Sequence, residues 1–485
     1  MTDIALKSAT ELAAAIKAKE IGCLELLEAC LARVERFNPS LNAVIWQDPE
    51  QARARAREAD AALARGEDWG PLMGLPTTIK ESYDFVGSPT TWGVPDLANN
   101  IAKTHAVATQ RLLDAGAIIY GKTNVPLLLS DWQSFNDIYG TTNNPWDQTK
   151  TPGGSSGGSA VSLATGMAAL EIGSDIGASI RNPAHYCGVC GHKPTFGIVP
   201  LRGQSASGNL AQIDISVGGP MARSVADLER SLDVLAGPDE IEAEGLRLTL
   251  PPPRATALKD FRVAVMVEDP CVATDQAYQQ RILDLAKALE REGASVSYTA
   301  RPEIDTKRAF QVYIRLLRAV TMARVGAAER ARWEARAAAL TPDDQSRKAE
   351  IARAAVLSHK DWLDTHEERE QHRWAWHRFF QDWDVLLAPA AAGPAFPHDH
   401  KGERIDRTIE VNGKQENTTD QLFWAGLFGV VYLPGTVVPL PLHPNGLPLG
   451  LQIVGPQFGD RTTLTFGRLV EEAYGGYRPP PGYAD

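Results

Sequence analysis

The chain has few cysteines, no long apolar run and no basic stripe, and each shortage argues against a class of protein. Five cysteines (Cys23, Cys30, Cys187, Cys190 and Cys271) in 485 residues are too few, and odd in number, for a disulfide framework. They fit a reducing compartment, so the expected location is cytoplasmic. No stretch of about 18 or more apolar residues occurs, which argues against a membrane span. The opening MTDIALKSATELAAAIKAKE lacks the apolar core of a secretion signal. Net charge is −11 without a basic face to neutralise phosphates, so nucleic acid is not an expected partner. What is present is ordinary soluble-globular usage, 44% hydrophobic and 22% charged.

Residues 1–66 read as an N-terminal helical segment. Leu12, Ile16, Leu24, Leu27, Leu31 and Val34 recur at helical spacing, and QARARAREADAALARG is rich in helix formers up to Gly66. From Gly70, short β-rich runs (LPTTIK, AIIYGK) alternate with helical ones such as HAVATQRLLDAG, the pattern of a helix-covered sheet. After Gly237 a proline-containing connection leads to FRVAVMVED, a helix over 277–292, and ASVSYT; residues 306–383 are strongly helical. The runs VLLAPA, GTVVPLPL and LPLGLQIVG then restore the β texture before a last helix over 462–473. The expected fold is α/β: one large domain over 1–485, a mixed central sheet flanked by helices, with a helical cap inserted at 240–384.

Residues 151–200 are dominated by Gly, Ser and Ala but carry too many apolar residues for a flexible linker. Three chemistries compete for the GGSSGGS run. A phosphate-cradling loop needs Lys followed by Ser or Thr after its last glycine, and Ser159-Ala160 stand there instead. A nucleophile elbow fits G-x-S-x-G around Ser155, but the polar, proline-broken NNPWDQTKTP upstream supplies no strand to enter it. The third reading joins this run to the serine of the next block.

GGSSGG (153–158) is followed by GSDIGASIRNPA (173–184) and CGVCGHKPT (187–195). Upstream stand GLPTTIKE (74–81), AGAIIYGKTNVP (115–126) and YGTTNNPWD (139–147), and downstream GLPLGLQIVGP (446–456). In this order the motifs resemble the amidase signature family over most of the chain, least between about 240 and 385. The resemblance implies Ser179 as nucleophile, Ser155 as a bridging serine on a cis peptide, and Lys80 as base, with Ser156 beside the bridge. It implies an oxyanion hole from the peptide N–H groups of Ile176, Gly177, Ala178 and Ser179. Asp175 and Arg181 are expected to hold that loop, and Ala178 stands where the family more often has glycine. No metal or organic cofactor is implied.

The chemistry is coherent. A serine hydroxyl needs a partner to take its proton, and lysine serves only when neutral, its pKa lowered from about 10.4 to about 7–8. Burial supplies such a shift, and Lys80 ends the β-like run PTTI rather than lying on a charged helix.

Other features carry less. Cys187 and Cys190 form a lone C-x-x-C, read as buried thiols rather than zinc ligands. His366 begins HEERE, which lacks the second histidine of a zinc protease. His185 and His192 are read as structural, and His398 and His400 are not read as metal ligands. Trp362, Trp374, Trp376, Phe379, Phe380 and Trp383 are expected to pack the cap onto the body, or to line a channel. Trp132, Phe423 and Trp424 are candidate substrate-lining residues. The expected activity is amide hydrolysis through a serine acyl-enzyme on small-molecule amides, including aryl amides, anilides and carbamates. The expected partner is that substrate, without nucleic acid or membrane, and homodimerisation is left open. The rivals are a glutaminase subunit of a transfer-RNA amidotransferase, an α/β-hydrolase esterase using Ser155, and a catalytically dead binding protein.

Overall fold

Strands covered by helices are buried on both faces and need not alternate polar with apolar residues. Every residue of Pro76–Lys80, Ile118–Thr123, Val385–Pro389, Gly435–Leu440 and Leu449–Val454 is buried. The computed structural model describes residues 4–205, 208–323 and 325–484. Among these, a mixed eight-stranded sheet runs in the order Ser295–Ser297, Arg262–Val265, Val385–Pro389, Leu449–Val454, Gly435–Leu440, Cys190–Lys193, Val217–Ala222, Glu171–Asp175. The first three strands are mutually parallel and the remaining pairings antiparallel. The expected mixed sheet flanked by helices is the fold observed.

A second, three-stranded sheet places Ile118–Thr123 between Val44–Gln47 and Pro76–Lys80. A parallel bridge from Thr77 to Leu170 brings it against the edge of the larger sheet. At this seam the buried Glu171 carboxylate accepts from Thr78 Oγ1 at 2.8 Å, Thr123 Oγ1 at 2.9 Å and its neighbour's Ile172 N–H at 3.0 Å. One acid thus ties both sheets together next to the end of the Lys80 strand.

The structure corrects two expectations about organisation. The stretch 1–66 is not helical throughout: Val44–Gln47, the β-branched and aromatic run VIWQ, is a strand between helices Cys23–Leu41 and Pro49–Ala64. The segment 240–384 is not all cap. Arg262–Val265, helix Gln276–Arg291 and Ser295–Ser297 form a strand–helix–strand unit that extends the main sheet. Parallel neighbours need such a crossover, and a helix supplies it. The purely helical part lies between Thr306 and Asp382, in helices Thr306–Met322, Ala327–Ala338, Arg347–Ala355 and His359–Asp382. Its aromatics divide: Trp376 and Phe380 are fully buried, Trp376 stacking against Phe380 and meeting Phe428 edge-on, whereas Trp374 is exposed. No helix among the described residues is long and apolar enough to cross a membrane.

Burial, opposed by hydrogen bonds from Thr78, Thr123 and Ser159, pushes the Glu171 carboxyl up to about 7 from 4.5. The folded protein therefore keeps a proton that the unfolded chain releases between those values, so this group's contribution to stability falls as pH rises through that window. Glu171→Gln is expected to flatten that fall by up to about 3 kcal/mol. Urea unfolding of both proteins at pH 4.5 and 7.5 measures it.

Candidate active site

Lys80 closes the strand Pro76–Lys80 and has no exposed surface. Its Nζ lies 2.7 Å from Ser155 Oγ, 2.9 Å from Ser156 Oγ, 2.9 Å from Ser174 Oγ and 3.3 Å from the Ser174 carbonyl. Ser155 follows a cis Gly154–Ser155 peptide, and Ser156 precedes helix Gly157–Ala164. The loop can pass so close to its neighbours only with glycine: a Cβ on Gly154 would lie 2.3 Å from the Asp131 carbonyl, and one on Gly158 2.4 Å from Asn124 N. No strand enters this turn, as the polar upstream sequence predicts.

Burial lowers the Lys80 amine to about 7 from 10.5, and the charges of Asp175, Glu171 and Glu81, which act the other way, do not offset it. Glu81 is turned away, its carboxylate accepting from the backbone N–H groups of Thr91 and, at 2.9 Å, Trp92. Ser174 Oγ in turn accepts from Gln204 Nε2 at 3.0 Å. The result is a near-neutral amine among three hydroxyls, two of them on the serine-rich loop.

The loop after strand Glu171–Asp175 is wrapped around one carboxylate. Asp175 accepts from the N–H groups of Ala178 (2.9 Å), Ile180 (3.1 Å) and Arg181 (3.4 Å), and from the Arg181 guanidinium at 2.9 and 3.0 Å. Burial alone would raise its pKa, but Arg181, then Lys193 and the Ile180 N–H, hold it below the usual carboxylate value. Asp175 and Arg181 are both buried, so they are an internal clasp and not a surface pair. On the other side of the loop the Ile176 carbonyl accepts from Tyr313 Oη at 3.1 Å and the Gly177 carbonyl from Trp132 Nε1 at 2.7 Å. In a trans peptide the N–H points opposite to the C=O, so the Gly177 N–H is directed away from Tyr313.

Of the four N–H groups expected to face an anion, those of Ile176, Gly177 and Ser179 have no acceptor among the described residues. The Ala178 N–H is already given to Asp175, so it is not a free donor. Ala178 has φ 70°, the left-handed region that favours glycine. The Ser179 hydroxyl makes no hydrogen bond among the described residues, and its carbonyl accepts from Ser156 N–H at 3.2 Å, stitching the two serine-bearing loops together.

The candidate lining residues separate. Trp132 adjoins the loop through its indole N–H. Phe423 and Trp424 are fully buried core residues, Trp424 donating to Thr274 Oγ1 at 3.0 Å; it is their neighbour Leu422 that would crowd a Cβ on Gly177. Gln204, Tyr313 and Leu422 were not expected at the site, and Ser174 was expected there only as part of the loop-forming run, not as a hydroxyl on Lys80. Ser174 stands inside the GSDIGAS block, but nothing local marks the other three. A cavity of about 450 Å³, bounded by Phe196, Leu201, Ile213 and Phe458 among others, reaches this site at Gln204. His185 spans Gly393 and Gly450, and His192 spans Thr436 and Asp460, as structural residues. Cys187 and Cys190 are buried thiols, and no metal-binding cluster occurs among the described residues.

A family profile described as Amidase matches residues 25–464. The chain belongs to the amidase signature family. It is 34% identical to an indoleacetamide hydrolase of Bradyrhizobium diazoefficiens over 96% of this chain and 86% of that protein. It is 31% identical to a glutamyl-tRNA(Gln) amidotransferase subunit of Acidothermus cellulolyticus, over 98% and 95% of the two chains. The fold is shared with a bacterial aryl acylamidase of the amidase signature enzymes, with a TM-score of 0.80 at 23% identity over 99% and 98% of the two chains. This amidase signature protein is therefore a hydrolase of carbon–nitrogen bonds other than peptide bonds, which sets aside the α/β-hydrolase esterase.

Removing one partner of a buried ion pair leaves the other charge uncompensated, a loss of about 3–5 kcal/mol. Asp175→Ala is expected to lower the unfolding free energy by that amount, read from the urea midpoint.

Proposed function

We propose that this amidase hydrolyses small-molecule amides through an acyl-enzyme on Ser179, with Ser155 and Lys80 moving the proton. The observation that carries the reading is the fully buried Lys80 amine, lowered to about 7 and 2.7 Å from Ser155. Neutral Lys80 takes the Ser155 proton while Ser155 takes that of Ser179, and Ser179 Oγ bonds to the carbonyl carbon. The oxygen, now negative, accepts from the free N–H groups of Ile176, Gly177 and Ser179. Ser155 and Lys80 return the proton to the nitrogen, the C–N bond breaks and the amine leaves. Water then follows the same path against the acyl ester, releasing the acid and Ser179. Esters and carbamates that fit are cleaved by the same steps.

The surroundings favour aryl substrates. Trp132, Tyr313 and Leu422 present aromatic and apolar groups to the loop, and the 34% identical relative is an indoleacetamide hydrolase. A second reading, the glutaminase subunit of an amidotransferase, is favoured by the amidotransferase relatives at 31–32% identity. Turnover of aryl amides by the chain alone, with little on glutamine, decides for the first.

A fluorophosphonate probe is expected to label Ser179, located by mass spectrometry, and Ser179→Ala to abolish labelling; a label on Ser155 overturns the assignment. Because protonated Lys80 cannot accept a proton, kcat/KM for an anilide is expected to rise about tenfold per pH unit below 7 and to level off above it. Lys80→Met is expected to lower kcat/KM by about 10³-fold or more and to abolish that profile. A profile unchanged in the variant counts against the base.

A further inference from the structure

Gln204 closes a turn over 201–204 and is buried. Its own N–H donates to the Leu201 carbonyl at 2.9 Å. The turn is also held from outside, where Asp84 N–H donates to the Gly203 carbonyl at 2.9 Å and Val107 N–H to the Arg202 carbonyl at 3.0 Å. The side-chain amide joins two segments of the site. Its Nε2 lies 3.0 Å from Ser174 Oγ and 3.2 Å from Ser82 Oγ, so each N–H has a hydroxyl to donate to. Its Oε1 is buried and has no hydrogen-bond partner among the described residues. Turned over, the amide would leave two donors unpaired there in place of one oxygen, so the donor end belongs on the serines. Ser174 Oγ is also 2.9 Å from Lys80 Nζ, which puts a single hydroxyl between the Gln204 amide and the Lys80 amine.

The charges that act on Lys80 all favour its ammonium form. Glu81 is next in the chain, and Glu171 and Asp175 stand at the two ends of the adjoining strand. Helix Gly157–Ala164, packed on the Lys80 strand, carries no charged residue. The cations of the adjoining segments are engaged elsewhere: Lys122 by the Pro89 carbonyl and Thr90 Oγ1, Arg33 by the Thr165 carbonyl, Arg181 by Asp175 and Arg202 by Asp239. A neutral donor opposes the three acids without adding a charge. A hydroxyl that already accepts from Gln204 has one lone pair fewer for an ammonium N–H, and the amide directs the positive end of its dipole towards the amine. From the carboxamide that joins Ser82 to Ser174 beside Lys80, we propose that Gln204 is a positioning residue that keeps the Lys80 amine neutral, acting through the Ser174 hydroxyl. It thereby sets the lower pH limit of hydrolysis. The proposal rests on the reading of Lys80 as the base and adds to it a residue outside the ordered motifs.

Nuclear magnetic resonance of protein labelled with carbon-13 at lysine Cε, the Lys80 signal being assigned by its loss in Lys80→Met, reads the titration of this amine without turnover. Gln204→Met and Gln204→Leu, which remove the donors, are each expected to move its midpoint upward by about half a pH unit or more. Gln204→His, which returns one N–H, is expected to recover part of the change. In kcat/KM for an anilide the same shift is expected to appear as a loss about threefold greater at pH 6 than at pH 9. With Ser174→Ala present, Gln204→Met is expected to move the midpoint by less than half as much, because the hydroxyl it acts through is gone. A midpoint unmoved or lowered in both Gln204→Met and Gln204→Leu overturns the proposal, and so does a shift of the same size in the absence of the Ser174 hydroxyl. A shift of the Lys80 signal that the kcat/KM profile does not follow supports the hold of Gln204 on the amine and overturns Lys80 as the base.

Discussion

Burial of one amine governs this structure. Lys80 sits where the three-stranded sheet meets the edge of the eight-stranded one, with no exposed surface. Moving its pKa from 10.5 to about 7 corresponds to about 5 kcal/mol against the ammonium form. The surrounding structure has to bear that penalty, and it does so with a continuous apolar core and a seam closed by the protonatable Glu171. What the fold obtains is an amine whose neutral form is accessible near neutral pH, already hydrogen-bonded to the hydroxyls of Ser155, Ser156 and Ser174, as the proposed mechanism requires of its base.

Asp175 shows how a second demand is reconciled with the first. Its carboxylate is needed to bend the loop, collecting the N–H groups of Ala178, Ile180 and Arg181. Left alone, the same negative charge would favour the ammonium form of Lys80, and its influence acts in that direction. Arg181 pairs with it directly and Lys193 adds a further positive influence, so the loop keeps its shape while much of the charge is cancelled. Arg181 also donates to Gln452 and to the Ala425 carbonyl, which anchors the loop to the central sheet.

The sequence made legible those parts that depend on neighbours in the chain. Runs such as PTTIK, VLLAP and LGLQIV announce strands because β-branched and large apolar residues crowd together, and each is a strand. Glu171–Asp175 and Cys190–Lys193, reading EIGSD and CGHK, carry glycine and polar residues and become strands only because their partners pair with them. The resemblance carried by the ordered motifs pointed to Lys80, Ser155 and Ser179, and the first two of these lie within a hydrogen bond of each other. Tyr313, Leu422 and Gln204 could not be read in the same way. Helical periodicity buries Tyr313, but only the packing of a helix more than a hundred residues downstream aims its hydroxyl at Ile176. Ala178 was suspect for want of a glycine, and its φ of 70° shows the backbone conformation that the loop imposes.

Tyr313 has an effect beyond packing. The helices between Thr306 and Asp382 carry none of the motifs by which the sequence resembles its family, yet one of them bonds directly to the peptide whose N–H belongs to Gly177. Any tilt of that helix rotates the same peptide plane. Under the proposed mechanism selectivity and rate are thus mechanically coupled: a change in the helical layer that moves Tyr313 also moves the peptide whose N–H is proposed to meet the developing negative charge.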